Sequence, residues 1–132
     1  MNDDRTQLRP GESILGQRYL VEAEIGSGGM GAVYRARDTK LDRNVALKIG
    51  VLDASSERQM REAKALAQVR SPNVVQVYDF EEFAGGQSLI VMELIDGNDL
   101  QQKINQSDFS HDQAVSWMKQ VCTGMEAVDV TW

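Results

Sequence analysis

One cysteine, one histidine and two prolines are all that 132 residues contain of those types. Cys122 alone can form neither an internal disulfide nor a thiolate metal cage, which fits a reducing compartment. His111 has no second ligand-type residue at metal spacing, so it reads as a surface residue and no metal site is expected. No run approaches the roughly 18 apolar residues that a membrane helix needs. The polar start, Met1 to Gly16, has no apolar core of a signal peptide. Basic residues are in deficit: 14 Lys and Arg against 20 Asp and Glu give a net charge of −6. That balance argues against a nucleic-acid partner, which wants clustered Lys and Arg. What is present, 42% apolar and 26% charged residues, is the composition of one soluble globular domain, and a cytoplasmic location is expected.

No internal repeat is visible. Residues 1–17 read as a flexible lead-in closed by Pro10-Gly11. From Tyr19 the pattern alternates, with Tyr19, Val21, Ala23 and Ile25 on one face and Glu22 and Glu24 on the other, which predicts a half-buried strand. Ala32–Arg37 and Val45–Ile49 predict two more, joined by the polar turn Asp38–Asn44. Asp53-Ala54-Ser55-Ser56 offers N-cap residues for a helix carrying Met60, Ala63, Leu66 and Ala67. Ser71-Pro72-Asn73 ends it. Val74–Tyr78 and Leu89–Met92 predict a fourth and a fifth strand around a turn at Ala84-Gly85-Gly86. A short helix is expected over Asp99–Asn105. Ser110 with Gln113 forms a capping box, so a longer helix follows, with Ala114, Met118, Val121, Met125 and Val128 in one stripe. Cys122 lies beside that stripe and is expected to be a small buried hydrophobe rather than a nucleophile. Three successive strands with short turns imply an antiparallel sheet and an α+β fold.

Gly26-x-Gly28-x-x-Gly31 is ambiguous by itself. A dinucleotide fold needs such glycines to open a helix, yet Ala32-Val33-Tyr34 favours strand. A P-loop needs Gly-Lys-Ser/Thr, which does not occur. A plain glycine-rich hairpin turn competes equally. The next strand shifts the balance. Lys48 sits among apolar residues in Val45-Ala46-Leu47-Lys48-Ile49, where a cation costs desolvation unless an anion meets it. An edge-strand lysine reaching solvent is the plainer alternative.

Ile25-Gly26-Ser27-Gly28-Gly29-Met30-Gly31-Ala32-Val33-Tyr34 followed by Val45-Ala46-Leu47-Lys48 resembles the first signature pair of the protein kinase family. The wording is most similar to bacterial serine/threonine kinases, and the likeness covers about residues 14–128. The resemblance implies a kinase small lobe at 18–95, a five-stranded antiparallel sheet with one main helix and the hinge. It implies the first helices of the larger lobe at 96–132. It implies ATP as ligand with Mg2+, a protein Ser/Thr hydroxyl as acceptor, and a glycine loop, Ile25 to Val33, folded over the phosphates. Lys48 would neutralise the phosphates and pair with Glu62 of Arg61-Glu62-Ala63, with Glu57 as the alternative. Val33 and Ala46 would face the adenine, and Met92 would guard its rear. Glu93 and Ile95 would bond its edge through their backbones, and Asp99 would stand near the ribose. Each of these residues also has a plain packing or surface role.

The family's His-Arg-Asp and Asp-Phe-Gly motifs, which supply the base and the metal ligands, do not occur in the sequence. Without them the expected behaviour is nucleotide binding without transfer. A non-catalytic, pseudokinase-like regulatory or interaction module is the alternative. The apolar stripe of the last helix, with Trp117 beside it, is expected to promote self-association.

Overall fold

The computed structural model describes residues 7–28, 31–51, 56–83 and 87–131. Nine elements follow in order: β1 (Ser13–Ile14), β2 (Tyr19–Gly28), β3 (Gly31–Asp38), β4 (Arg43–Val51), α1 (Ser56–Gln68), β5 (Val77–Phe83), β6 (Gln87–Glu93), α2 (Leu100–Gln106) and α3 (His111–Thr131). The strands form one antiparallel sheet in the order β1-β2-β3-β4-β6-β5.

Side chains alternate across a strand, so register decides which residues share a face. Tyr34↔Leu47 and Ala36↔Val45 pair across β3 and β4, and Leu47↔Val91 and Ile49↔Leu89 pair across β4 and β6. These residues form the core together with Tyr19 and Val21 of β2. Asp38 is buried on the same face of β3, where Arg18 meets it through Nε at 3.3 Å and Nη2 at 3.1 Å. The N–H groups of Lys40 and Leu41 also donate to Asp38 Oδ1. Burial alone would raise the Asp38 carboxyl. The Arg18 hydrogen bonds, the two backbone N–H groups and the Arg18 charge outweigh burial and hold it below its ordinary value.

The sheet has six strands where five were expected. The sixth lies in the segment read as a flexible lead-in. Ile14 and Leu8 join the core, Gly11 N–H donates to Val21 O, and Val21 N–H donates to Glu12 O. A two-residue strand is too short to show alternation, and Leu8 and Ile14 are isolated apolar residues in sequence. The turn that follows holds Leu15, Gly16 and Gln17 all at positive φ, and of these only glycine is a sequence signal for that conformation.

One further boundary moved, and two residues lie differently from expectation. β5 begins at Val77 rather than Val74, because pairing with β6 starts at Val77↔Met92 and Val75 stays exposed beyond the Pro72-Asn73 turn. Ile25 leaves the buried side of β2 and is 49% exposed. The register shifts at Val21/Ala23 and again at Glu24/Gly26, and each bulge resets the alternation. Cys122, expected to be buried, is exposed. α3 packs through Gly124, which is buried, instead of through its apolar stripe. The expected cap at 53–55 and turn at 84–86 lie outside the described residues.

The capping box expected at Ser110 forms. Gln113 N–H donates to Ser110 Oγ at 3.2 Å, and Ser110 N–H donates to Gln113 Oε1 at 2.9 Å. α2 has a second capping box, between Asp99 and Gln102.

Candidate nucleotide site

The face of the sheet opposite the core carries the candidate residues. Val33 pairs with Lys48, and Lys48 with Ile90; Arg35 pairs with Ala46, and Ala46 with Met92. Gly26 pairs with Val33 from the other side. Four strands therefore present Gly26, Val33, Lys48, Ala46 and Met92 as one patch. Ala46 is buried, while Val33, Lys48 and Met92 are half-buried. A methyl between Arg35 and Met92 leaves a shallow floor that a flat ring can meet. A half-buried cation lies one row away. Among the described residues Lys48 has no ion-pair partner.

The glycine segment forms the β2–β3 hairpin, in which Gly28 pairs with Gly31. Gly31 has a local reason to be glycine. Its φ is +126°, and a Cβ there would lie 1.9 Å from Ile49 O, so β3 and β4 could not approach with any side chain present. Gly26 has no such constraint, since its Cβ would meet Val33 Cβ at 3.9 Å. Ser27 pairs with Ala32 in the hairpin, and Ala32 packs on the core side. Gly29 and Met30 lie outside the described residues.

The expected Lys48–Glu62 pair is not formed. Glu62 lies on α1, where Arg58 Nε donates to its Oε1 at 3.1 Å one turn away. That local pair competes for the carboxylate. Glu57, the alternative, is exposed in the first turn of α1.

Past β6 the chain runs irregularly from Leu94 to Asn98. Glu93 is anchored at both ends: its N–H donates to Gln76 O at 2.8 Å, and its Oε2 accepts from Gln76 N–H at 3.1 Å. Ile95 is exposed. Asp99 caps α2, with Oδ1 accepting from Gln102 N–H at 2.8 Å. A contact that no sequence signal announced spans this region: Arg35 Nη2 meets Asp96 Oδ1 at 3.3 Å, across 61 positions. His111 is exposed, as expected. Among the described residues no three His, Cys, Asp or Glu side chains group as a metal site.

The family model for the protein kinase domain matches residues 19–129. The chain belongs to the protein kinase family. Its relatives are bacterial serine/threonine kinases. It is 39% identical over 120 residues to a probable serine/threonine-protein kinase PknB of Lactococcus lactis, covering 86% of this chain and 19% of that protein. It is 33% identical over 126 residues to the serine/threonine-protein kinase pkn2 of Myxococcus xanthus, covering 92% of this chain and 15% of that one. The chain thus spans less than a fifth of the length of either curated relative. The Mycobacterium tuberculosis PknI kinase domain superposes with a TM-score of 0.80 at 24% identity, covering 93% of this chain and 52% of that one. This likeness is one of fold, and it matches the kinase-type curled sheet with its flanking helices.

Proposed function

We propose that this chain is the ATP-binding part of a serine/threonine protein kinase. The whole enzyme would transfer the ATP γ-phosphate to Ser or Thr hydroxyls of a protein. Residues 18–95 act as the nucleotide-binding lobe and hinge, and 96–132 open the larger lobe. The observation that carries the reading is the shared register of Gly26, Val33, Lys48, Ala46 and Met92 on one face. A small residue beneath a flat cleft and a cation one row away, with no ion-pair partner among the described residues, suit a base joined to a polyphosphate.

The residues present fit the nucleotide. Val33 and Ala46 line one face of the base, and Met92 limits its depth. The Glu93 carbonyl accepts from its edge, and the Ile95 N–H donates to it. Lys48 neutralises phosphate oxygens, and Gly26, Gly28 and Gly31 of the β2–β3 hairpin bring backbone N–H groups toward them. Asp99 offers Oδ2 toward the ribose while Oδ1 caps α2. Mg2+, when bound, travels with the nucleotide and offsets phosphate charge. The 132 residues hold neither His-Arg-Asp nor Asp-Phe-Gly, so by themselves they bind without transferring. A reducing, ATP-rich cytoplasm suits this chemistry.

The second reading, a regulatory module that binds nucleotide or a partner without catalysis, draws on Glu62 being held by Arg58 rather than by Lys48. Calorimetry with Mg·ATP tests the first claim. The parent chain should bind, and Lys48→Met should weaken binding by about tenfold, the worth of one charge-assisted contact. Absence of binding by the parent chain overturns the nucleotide reading. Radiolabel passed from ATP to a protein by the purified chain would overturn the claim that it lacks transfer. Partner capture that survives Lys48→Met would favour the regulatory module.

A further inference from the structure

The adenine cleft proposed above has two walls that come from distant parts of the chain. One is the sheet face at Val33 and Ala46. The other is the irregular segment after β6, Leu94 to Asn98, where the base edge would bond to backbone. That segment has no ladder to hold it. Gly97 within it adopts φ +136°. Its side-chain tie to the sheet is the contact of Asp96 with Arg35.

Arg35 is well placed for this. It is two residues beyond Val33 on the same face of β3, and it is the direct cross-strand neighbour of Ala46. Its guanidinium therefore starts beside the floor of the cleft and ends on the opposite wall. Among the described residues, Arg35 Nε is buried without a hydrogen-bond partner. A buried unpaired donor carries a desolvation cost, so the guanidinium is held there by its far end and by packing rather than by its own best hydration.

We propose that Arg35 and Asp96 form a latch that sets the width of the nucleotide cleft, making Arg35 a positioning residue for the base. The inference rests on the nucleotide reading above. The latch acts by pre-organisation: with residues 94–96 fixed against β3, less ordering remains to be done when the base arrives. Its ends are solvent-accessible, with side chains 43% and 87% exposed. Exposed pairs contribute little to global stability and are screened by salt. A latch of this kind should therefore show in ligand affinity while leaving the melting temperature alone.

The test is calorimetric titration of the 132-residue chain with adenosine and, separately, with Mg·ATP. Arg35→Ala and Asp96→Ala should each weaken both ligands by the same factor, about threefold, as befits an exposed pair. The double variant should lose no more than either single one, because both remove one interaction. The exchange Arg35→Asp with Asp96→Arg should restore affinity. For neutral adenosine, added salt should lower parent affinity toward that of Arg35→Ala and leave the variant unmoved. Unfolding midpoints should stay together throughout. Unchanged affinity in both single variants overturns the latch, as do additive losses. A loss for Mg·ATP without one for adenosine also overturns it, since Arg35 would then be acting as a charge on phosphate. If the parent chain binds neither ligand, the nucleotide reading fails and the latch falls with it; if it binds both and the variants match it, only the latch fails.

Discussion

Gly26 and Gly31 belong to one motif, yet the structure gives them different duties. Gly31→Ala forces a Cβ to within 1.9 Å of a backbone carbonyl at a φ of +126°. Strain of that kind should cost about 3 kcal/mol, read as a lowered urea midpoint. Gly26→Ala meets only an ordinary contact and should move stability by no more than about 0.5 kcal/mol. If backbone N–H groups at that position reach phosphate, its cost should appear instead as about tenfold weaker Mg·ATP binding. A Gly26→Ala chain that binds like the parent would remove that residue from the site. Asp38 is a purely structural counterpart on the other face. Its carboxyl sits below the ordinary value of 3.8, so the folded chain holds that proton less readily than the unfolded one. The stabilisation is then complete above the ordinary value and is lost as pH falls through the lower folded one. Asp38→Asn should cost about 2 kcal/mol at neutral pH, trimmed by the partial exposure of Arg18, and should flatten the acid limb of the stability curve. Acid unfolding with an undiminished slope in that variant would contradict this. At this scale the sequence was informative where alternation alone decides a side chain's direction. Val33, Ala46, Lys48 and Met92 share a face because strands have period two. Glu62 was not legible in the same way, since Arg58 one helical turn away competes for its charge. Nor was Arg35–Asp96, which only the fold brings together.

Elements were legible wherever their signal is local. The Ser110–Gln113 capping box is a pattern within four residues, and the β3 and β4 strands read directly from their composition. β1 escaped because its burial comes from the rest of the sheet: Ile14 is apolar for a core whose other members run from Leu8 and Tyr19 to Val91. α3 shows the same limit differently. Its amphipathic stripe names one face, but the helix docks through another, at Gly124. A Cβ at that position would lie 2.7 Å from Asn73 O and 3.3 Å from Val74 Cγ2. Two effects then oppose each other in Gly124→Ala. Helix propensity favours alanine by up to about 1 kcal/mol. Overpacking against a backbone carbonyl costs about 1–3 kcal/mol. The clash should win, because a carbonyl on a turn held by Ser71 Oγ, which accepts from Asn73 N–H, has little room to retreat. The expected result is a lower urea midpoint with faster proteolytic cleavage near Phe109, where α3 joins the rest. A raised midpoint would show that the 73–74 turn yields and that the contact is loose.

On the scale of the whole molecule, the consequence of docking α3 through Gly124 is a long helix with its apolar side turned outward. Met118 and Met125 are 57% and 63% exposed. Met118, with Val115, Cys122 and their neighbours, borders an open groove of about 520 Å3. A patch of this kind favours association, while a net charge of −6 opposes the approach of two copies at low ionic strength. The two effects respond oppositely to salt. Screening weakens the repulsion and leaves apolar burial in place, so added salt should strengthen association rather than disperse it. Light scattering in a reducing buffer, which prevents disulfides through Cys122, should give a mass that climbs with concentration and climbs further in salt. Val121→Glu with Met125→Lys leaves the net charge unchanged and breaks the patch, so that variant should remain monomeric under both conditions with its helix content intact. A parent chain that stays monomeric at every concentration would mean that the exposed stripe is too narrow or too mobile to hold a second copy. An association that salt dissolves would mean that charge, not the methionine face, brings the copies together.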